Sequence, residues 1–504
     1  MSERQQFPWY WRPGLVVFVS NACIMTLELV AGRIIAPTVG VSLYTWTSVI
    51  GVVLAGMSLG NYLGGRLADR YASLRLLGCL YLLAGIASMA VLSINTLNVL
   101  NLVQWSMMAE ILLLITALFF LPATILGAIS PLVVKLALRN LGEAGRTVGR
   151  ISAAGTAGSI LGTFVTGFWL ISWLGTHTVV LGVALILLLM GALFLFSERS
   201  VASAVSLGAI ILLALAVTSS GLTASPCLYE TNYFCIKVQD DERDGRPVRK
   251  LVLDRLVHSY SSLEDPTHLV YGYEQTYAEL TAYQAEGRPD MRAFFIGGGG
   301  YTFPRYMEAV YPGSEIDVVE IDPGVTEVAY ELLGLSRETR ITSYNEDARM
   351  FLERPVTESY AIIFGDAFND FSVPYHLTTR EFNERVRAWL DDDGIYVVNI
   401  IDGALLRFLT AYVRTLAQTF DYVYVVPNTS QWRSVSRDTY VIVAGNIPVD
   451  INAFAPDSRF ASSVLSSEVV AELLEESRPV TLSDRYAPVE QMLAPVFLGK
   501  TTDP

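Results

Sequence analysis

Long apolar runs fill the first 220 residues, and no other feature narrows the folding choices so far: crossing a bilayer core as a helix takes roughly 17–25 mostly apolar residues. Seven such runs can be drawn, at about 14–36, 43–64, 74–96, 110–134, 151–173, 177–196 and 201–219. Hydrophobic residues make up 52% of the 504-residue chain and charged residues only 17%, a balance more apolar than that of a soluble domain. The segment before the first run, SERQQFPWYWRPG, is polar and aromatic, and the run itself holds Glu28 and Arg33. A cleaved signal peptide has a short, uncharged core, so this run is expected to stay as a membrane helix.

The charges divide the chain. Residues 1–225 carry 11 Lys+Arg and 6 Asp+Glu, and the remainder carries 24 and 43. A phosphate backbone demands a basic footprint, so the acidic second part excludes nucleic acid as a partner. Arg4 and Arg12 precede the first run. Arg66, Arg70 and Arg75 lie between the second and third, Lys135, Arg139, Arg146 and Arg150 between the fourth and fifth, and Arg199 between the sixth and seventh. The other connections contain no Lys or Arg. Basic loops are retained in the cytoplasm, which predicts a multi-pass protein of the cell (inner) membrane with a cytoplasmic N-terminus. Seven crossings then favour residues 226–504 outside. Gly64–Arg70, GGRLADR, reads as a short basic loop like those joining helices in major-facilitator transporters. Gly155, Gly158, Ser159 and Gly162 would let helix backbones approach closely. Glu28 and Arg33 are expected to meet one another, a polar neighbour or a cavity.

A polar break at residues 219–226 ends the apolar region, and the pattern changes to short alternating runs with turn residues. Tyr233–Val238 and Lys250–Leu253 read as strands joined by the turn DDERDGRP, followed by a helix at His268–Ala285. From residue 292 the order is that of an open, doubly wound sheet. Strand Ala293–Ile296 runs into Gly297-Gly298-Gly299-Gly300, strand Ile316–Ile321 carries Glu320 and ends at Asp322, strand Ala361–Phe364 leads to Asp366, and Ile395–Ile400 is a further strand. Ligands of such sheets bind at the carboxyl ends of the strands. Glycines there admit a nucleotide backbone, and an acid roughly 20 residues on can accept from ribose hydroxyls. Asp347, in Asn345-Glu346-Asp347-Ala348-Arg349, suits an adenine edge. The four cysteines, Cys23, Cys79, Cys227 and Cys235, have no zinc spacing, so no metal is expected; Cys227 and Cys235 are close enough in sequence to form a disulfide.

Over residues 226–445 this ordered set resembles the spermidine synthase (polyamine aminopropyltransferase) family, in its forms fused to a membrane domain. The features that carry the resemblance are the β region, Leu253-Asp254, the helix with Tyr271 and Tyr273-Glu274, the glycine loop, Val319-Glu320-Ile321-Asp322, Asp347-Ala348 and Asp366. The resemblance implies a multi-pass α-helical membrane domain of about seven helices at 1–220, a small β region and helix at 226–290, and an α/β Rossmann-like, S-adenosylmethionine-type domain at 291–504. It implies nucleotide binding by Gly297, Gly298, Gly299, Gly300, Glu320, Asp347 and Ala348. Asp366 takes the catalytic place, acting on an attacking amine, and Phe234, His258, Tyr273, Glu274, Asn369 and Asp370 become substrate-binding candidates. The donor would be a substrate, with no separate cofactor.

The sequence departs from the family in three places. Gly300 stands where the family has Asp, Tyr233-Phe234 replaces a Tyr-Gln pair, and Asp366-Ala367-Phe368-Asn369-Asp370 replaces Asp-Ser-Ser-Asp. Fewer acids mean fewer counter-charges for ammonium groups, and Gly300 relieves repulsion of a donor carboxylate. His258 and His376 stand near the same region, each as a structural or a ligand-touching residue. Three functions lead, with a methyltransferase as a fourth. The first is aminopropyl transfer from decarboxylated S-adenosylmethionine to putrescine, releasing methylthioadenosine. The second is an S-adenosylmethionine lyase giving methylthioadenosine and homoserine lactone. The third is a non-catalytic transporter or sensor that binds nucleotide or polyamine. The partners expected are a lipid bilayer, the donor and a polyamine, with homo-oligomerisation left open.

Overall fold

The computed structural model describes residues 11–92, 107–138, 140–196, 225–367 and 373–498, with residues 208 and 219. Two compact units emerge, Met1–Asn232 and Tyr233–Pro504.

The first unit is helical: α1 (Pro13–Val39), α2 (Leu43–Tyr71), α3 (Leu74–Ala90), α4 (Met108–Ala137), α5 (Ala144–Val165) and α6 (Thr176–Phe196). Four helical runs, Pro13–Val39, Leu43–Tyr71, Met108–Ala137 and Leu141–Phe196, are long and apolar enough to cross a membrane, and Leu74–Ala90 is shorter. The fifth and sixth expected runs both fall in Leu141–Phe196, which breaks at Gly175, where φ is +71°. The seventh, 201–219, lies outside the described residues. Gly64–Arg70 is helical rather than a loop: α2 runs on to Tyr71 because Gly56, Gly60, Gly64 and Ala68 form one buried stripe at four-residue spacing.

Absent side chains set the helix spacing, as expected. A Cβ on Gly158 would run into the Phe18 carbonyl and one on Gly162 into that of Ala22, and Thr166 and Thr26 share a hydrogen bond of 2.9 Å. This register makes α1 and α5 parallel. Gly60 and Gly64 press likewise on Thr124 and Ala128 of α4, and Lys135 pairs with Asp69 at 2.8 Å. Arg12, Arg70, Arg75, Lys135, Arg146 and Arg150 therefore gather at one end of the unit. At the other end Arg33 donates to the carbonyls of Thr231 and Asn232. There the Glu230 carboxylate accepts the Thr176 N–H at 3.1 Å. The chain thus leaves this unit at the end opposite its basic one. Cys227 and Cys235 are disulfide-bonded, whereas Cys23 and Cys79 are free.

The second unit begins with the antiparallel strands β1 (Cys235–Arg243), β2 (Arg246–Leu253) and β3 (Leu256–Ser261). The expected eight-residue turn shrinks to Asp244-Gly245, both with positive φ, the geometry that matches the twist of a two-residue hairpin. After α7 (Gly272–Ala285), which starts four residues later than expected, come β4 (Arg292–Ile296), α8 (Thr302–Val310), β5 (Glu315–Val319) and α9 (Pro323–Leu332). These are followed by β6 (Thr342–Tyr344), α10 (Ala348–Leu352), β7 (Tyr360–Gly365), α11 (Arg380–Trp389), β8 (Leu390–Asp402), α12 (Arg407–Leu416), β9 (Tyr422–Pro427) and β10 (Asp438–Gly445). The seven-stranded sheet has the order β9-β10-β8-β7-β4-β5-β6. It is mixed, because β10 runs antiparallel to both neighbours while the six others all run the same way. β7 is buried along its whole length, as a parallel strand covered on both faces must be. β4 lies between β5 and β7, so the chain departs from it in opposite directions. A crevice opens at that switch point.

Candidate active site

The glycine loop occupies this crevice. Gly297 has φ +95° and Gly299 +48°, values that glycine adopts without strain. A Cβ on Gly297 would strike the Asp366 carbonyl, so the turn runs hard against the end of β7. Glu320 follows β5 and is 6% exposed. Its carboxylate accepts the N–H groups of Gly298 (2.8 Å), Gly299 (3.3 Å) and Asp322 (2.9 Å). Burial raises its pKa, and these donors oppose the shift.

A cavity of ≈ 180 Å³ has Phe234, His258, Gly297, Glu320, Asp347 and Asp366 on its wall, with Ala348 and His376 beside them. Asp347 caps α10, accepting from Arg349 N–H (2.9 Å) and Met350 N–H (3.1 Å) through one oxygen. Its other oxygen meets His376 Nε2 at 3.0 Å. One side chain thus starts a helix and faces the cavity. The Phe234 and His258 rings lie 6.4 Å apart. Burial, then the nearby Arg437 charge, pushes His258 down to about 4, which leaves the imidazole neutral.

A second cavity, of ≈ 60 Å³, shares His258, Gly297, Gly299 and Asp366 with the first and adds Tyr273, Glu274 and Gly300. Asp366 stands where the two meet. Burial pushes its carboxyl up to about 6, while hydrogen bonds from Asn399 and Tyr273 pull it back; the Asn399 amide donates at 2.9 Å. Burial, with Asp366 adding to it, pushes Glu274 up to about 8. A carboxylate that titrates near 6 and is held in a fixed orientation can take a proton from a nucleophile in either cavity.

Gly297, Gly298, Gly299, Gly300, Glu320, Asp347, Ala348 and Asp366 are therefore together, as are Phe234, His258, Tyr273 and Glu274. Asn369 and Asp370 lie outside the described residues. Sequence reasoning missed Asn399 and Ser259. A lone amide inside the apolar run Val397-Val398-Asn399-Ile400-Ile401 was the readable signal for Asn399, because a buried amide needs a polar partner. Ser259 carried no signal of its own.

No family model matches the chain. A polyamine aminopropyltransferase of Vibrio vulnificus is 38% identical over 112 residues, which cover 21% of this chain and 37% of that protein. The matched stretch thus spans little more than a third of that relative's own length. Polyamine aminopropyltransferase 2 of Streptomyces coelicolor is 25% identical over 421 residues, 76% of this chain and 72% of the relative. A solved structure, a probable spermidine synthase from Corynebacterium glutamicum, is similar with a TM-score of 0.45 and 22% identity, covering 52% of this chain and 97% of that one.

Proposed function

We propose that this chain, which is similar to polyamine aminopropyltransferases, is a membrane-bound aminopropyltransferase. Its reaction moves the aminopropyl group of decarboxylated S-adenosylmethionine onto putrescine and releases methylthioadenosine, with the donor as substrate and no resident cofactor. The observation that carries this reading is the position of Asp366 between the two cavities, oriented by Asn399 and Tyr273.

In this reading the larger cavity takes the nucleoside, with Glu320 on the ribose hydroxyls and Asp347-Ala348 at the adenine. The smaller cavity takes the aminopropyl tail. An amine of putrescine attacks the carbon next to the sulfonium. The new C–N bond forms as the C–S bond breaks, and the bonding pair stays on sulfur, which leaves as the thioether. Asp366 accepts the proton lost by nitrogen. Holding both reactants in line accounts for most of the acceleration, and the base adds on the order of 10²–10⁴-fold. The four apolar helical runs support attachment to a bilayer.

The test incubates the purified full-length chain with decarboxylated S-adenosylmethionine, with and without putrescine, and reads products by mass spectrometry. Spermidine and methylthioadenosine in equal amounts are expected. Methylthioadenosine and homoserine lactone from S-adenosylmethionine alone would replace this reading with the lyase, and no turnover of either donor would leave a binding protein.

A further inference from the structure

The charged side chains on the wall of the smaller cavity are all acidic. Its described wall holds two carboxyls, Glu274 and Asp366, and no lysine or arginine. Glu274 lies in the first turn of α7 and spends one oxygen on the Tyr271 N–H, at 3.2 Å. A capping glutamate belongs to a helix end and has no need of burial, yet this one is 3% exposed. The glycine loop contributes no side chain to the cavity at Gly300, where a Cβ would overlap the Ser259 hydroxyl and Ser259 would have to shift. Ser259 is 4% exposed, and its Oγ has no partner among the described residues.

We infer that Glu274 is the specificity-determining residue for the donor's tail, selecting one that ends in a primary ammonium and carries no carboxylate. This rests on the reaction proposed above. An ammonium brings three N–H donors, and the Glu274 carboxylate and Ser259 Oγ are acceptors placed around one small space. Asp366 remains for the attacking amine. A tail carboxylate would meet two acids and no wall cation, a costly arrangement for a buried anion.

The groups around Glu274 are Tyr273 and Tyr277 on its own helix, Tyr271 at that helix's N-cap, Asp366 beyond β7 and His258 on β3, with the Arg437 charge acting on Tyr271 and His258 and the Arg243 charge on Tyr271. The three tyrosines are shifted upward and the histidine downward, each mainly by burial, so all four stay neutral near pH 7. Glu274, with its carboxyl near 8, holds a proton in the empty cavity, and an arriving ammonium expels it.

Binding separates this inference from the reaction. Calorimetry on the full-length chain in detergent, in two buffers of different ionisation heat, compares decarboxylated S-adenosylmethionine, S-adenosylmethionine and methylthioadenosine, which lacks the tail. The wild type is expected to prefer the decarboxylated donor over methylthioadenosine by about 10- to 100-fold, to release about one proton with it at pH 7, and to bind S-adenosylmethionine more weakly. Glu274→Gln keeps the cap, since glutamine serves at that position too. It is expected to erase both the preference and the proton release while methylthioadenosine binds as before. Ser259→Ala should remove a smaller part of the preference. A Glu274→Gln protein that binds methylthioadenosine normally and keeps the wild-type preference overturns the assignment. Wild-type binding of the expected kind without product would instead overturn the reaction and leave the tail selection standing.

Discussion

Asp366 has its Oδ1 on the Asn399 amide, with the Tyr273 hydroxyl as a further donor, and its chemistry follows from that environment. A base works only when ionised. With the carboxyl near 6, kcat/KM is expected to be level above that pH and to fall about tenfold per unit below it. Asn399→Ala removes a donor that lowers the pKa, so the acidic limb should move to higher pH, and an unmoved limb would assign it to another group. Asp366→Asn preserves shape but accepts no proton. Turnover should drop on the order of 10²–10⁴-fold with methylthioadenosine affinity nearly intact, and a fully active variant would make Asp366 structural. Glu320→Ala should weaken methylthioadenosine binding by about 1.5–3 kcal/mol, the range for a hydrogen bond involving a charged group. Calorimetry showing equal affinity would remove Glu320 from the site.

Among elements, the α1/α5 seam is the place where one added carbon matters most. Gly158→Val drives methyl groups at the Phe18 carbonyl and should cost about 1–3 kcal/mol, as overpacking does. Gly167→Ala, whose Cβ meets nothing within 4 Å, is the control. Equal thermal midpoints for the two proteins in detergent would mean that the seam is loose. Much of this was legible beforehand. Apolar runs flanked by glycines and acids announced β4, β5 and β7, and the small residues spaced along α5 announced the seam. The extent of α2 was legible too, in Gly56, Gly60, Gly64 and Ala68, but the charges of Arg66, Asp69 and Arg70 outweighed that period and read as a loop. β6 has three half-exposed or exposed residues and no apolar run to mark it. The strands β9 and β10 are apolar enough, but they lie beyond the motifs that drew attention to the site. The placing of Ser259 and Gly300 against one another joins residues 41 apart, and spacing alone cannot reveal such a contact.

For the whole molecule, the prediction for the side of the membrane rests on the two ends of one helical unit. Arg12, Arg70, Arg75, Lys135, Arg146 and Arg150 mark the end that basic residues hold in the cytoplasm, and Arg33, Thr176 and Glu230 mark the other, where the chain departs. Disulfide-bonded Cys227 and Cys235 fit an oxidising compartment. A reporter active only in the cytoplasm, fused after Pro504, is therefore expected to stay silent, and a strong signal would reverse the assignment. The transferase reading proposed above, joined to that topology, predicts vectorial chemistry. The sulfonium donor of the proposed reaction carries a permanent charge that lipid does not admit unaided, so in sealed proteoliposomes of one orientation, product should form only when donor is supplied to the face from which the chain emerges.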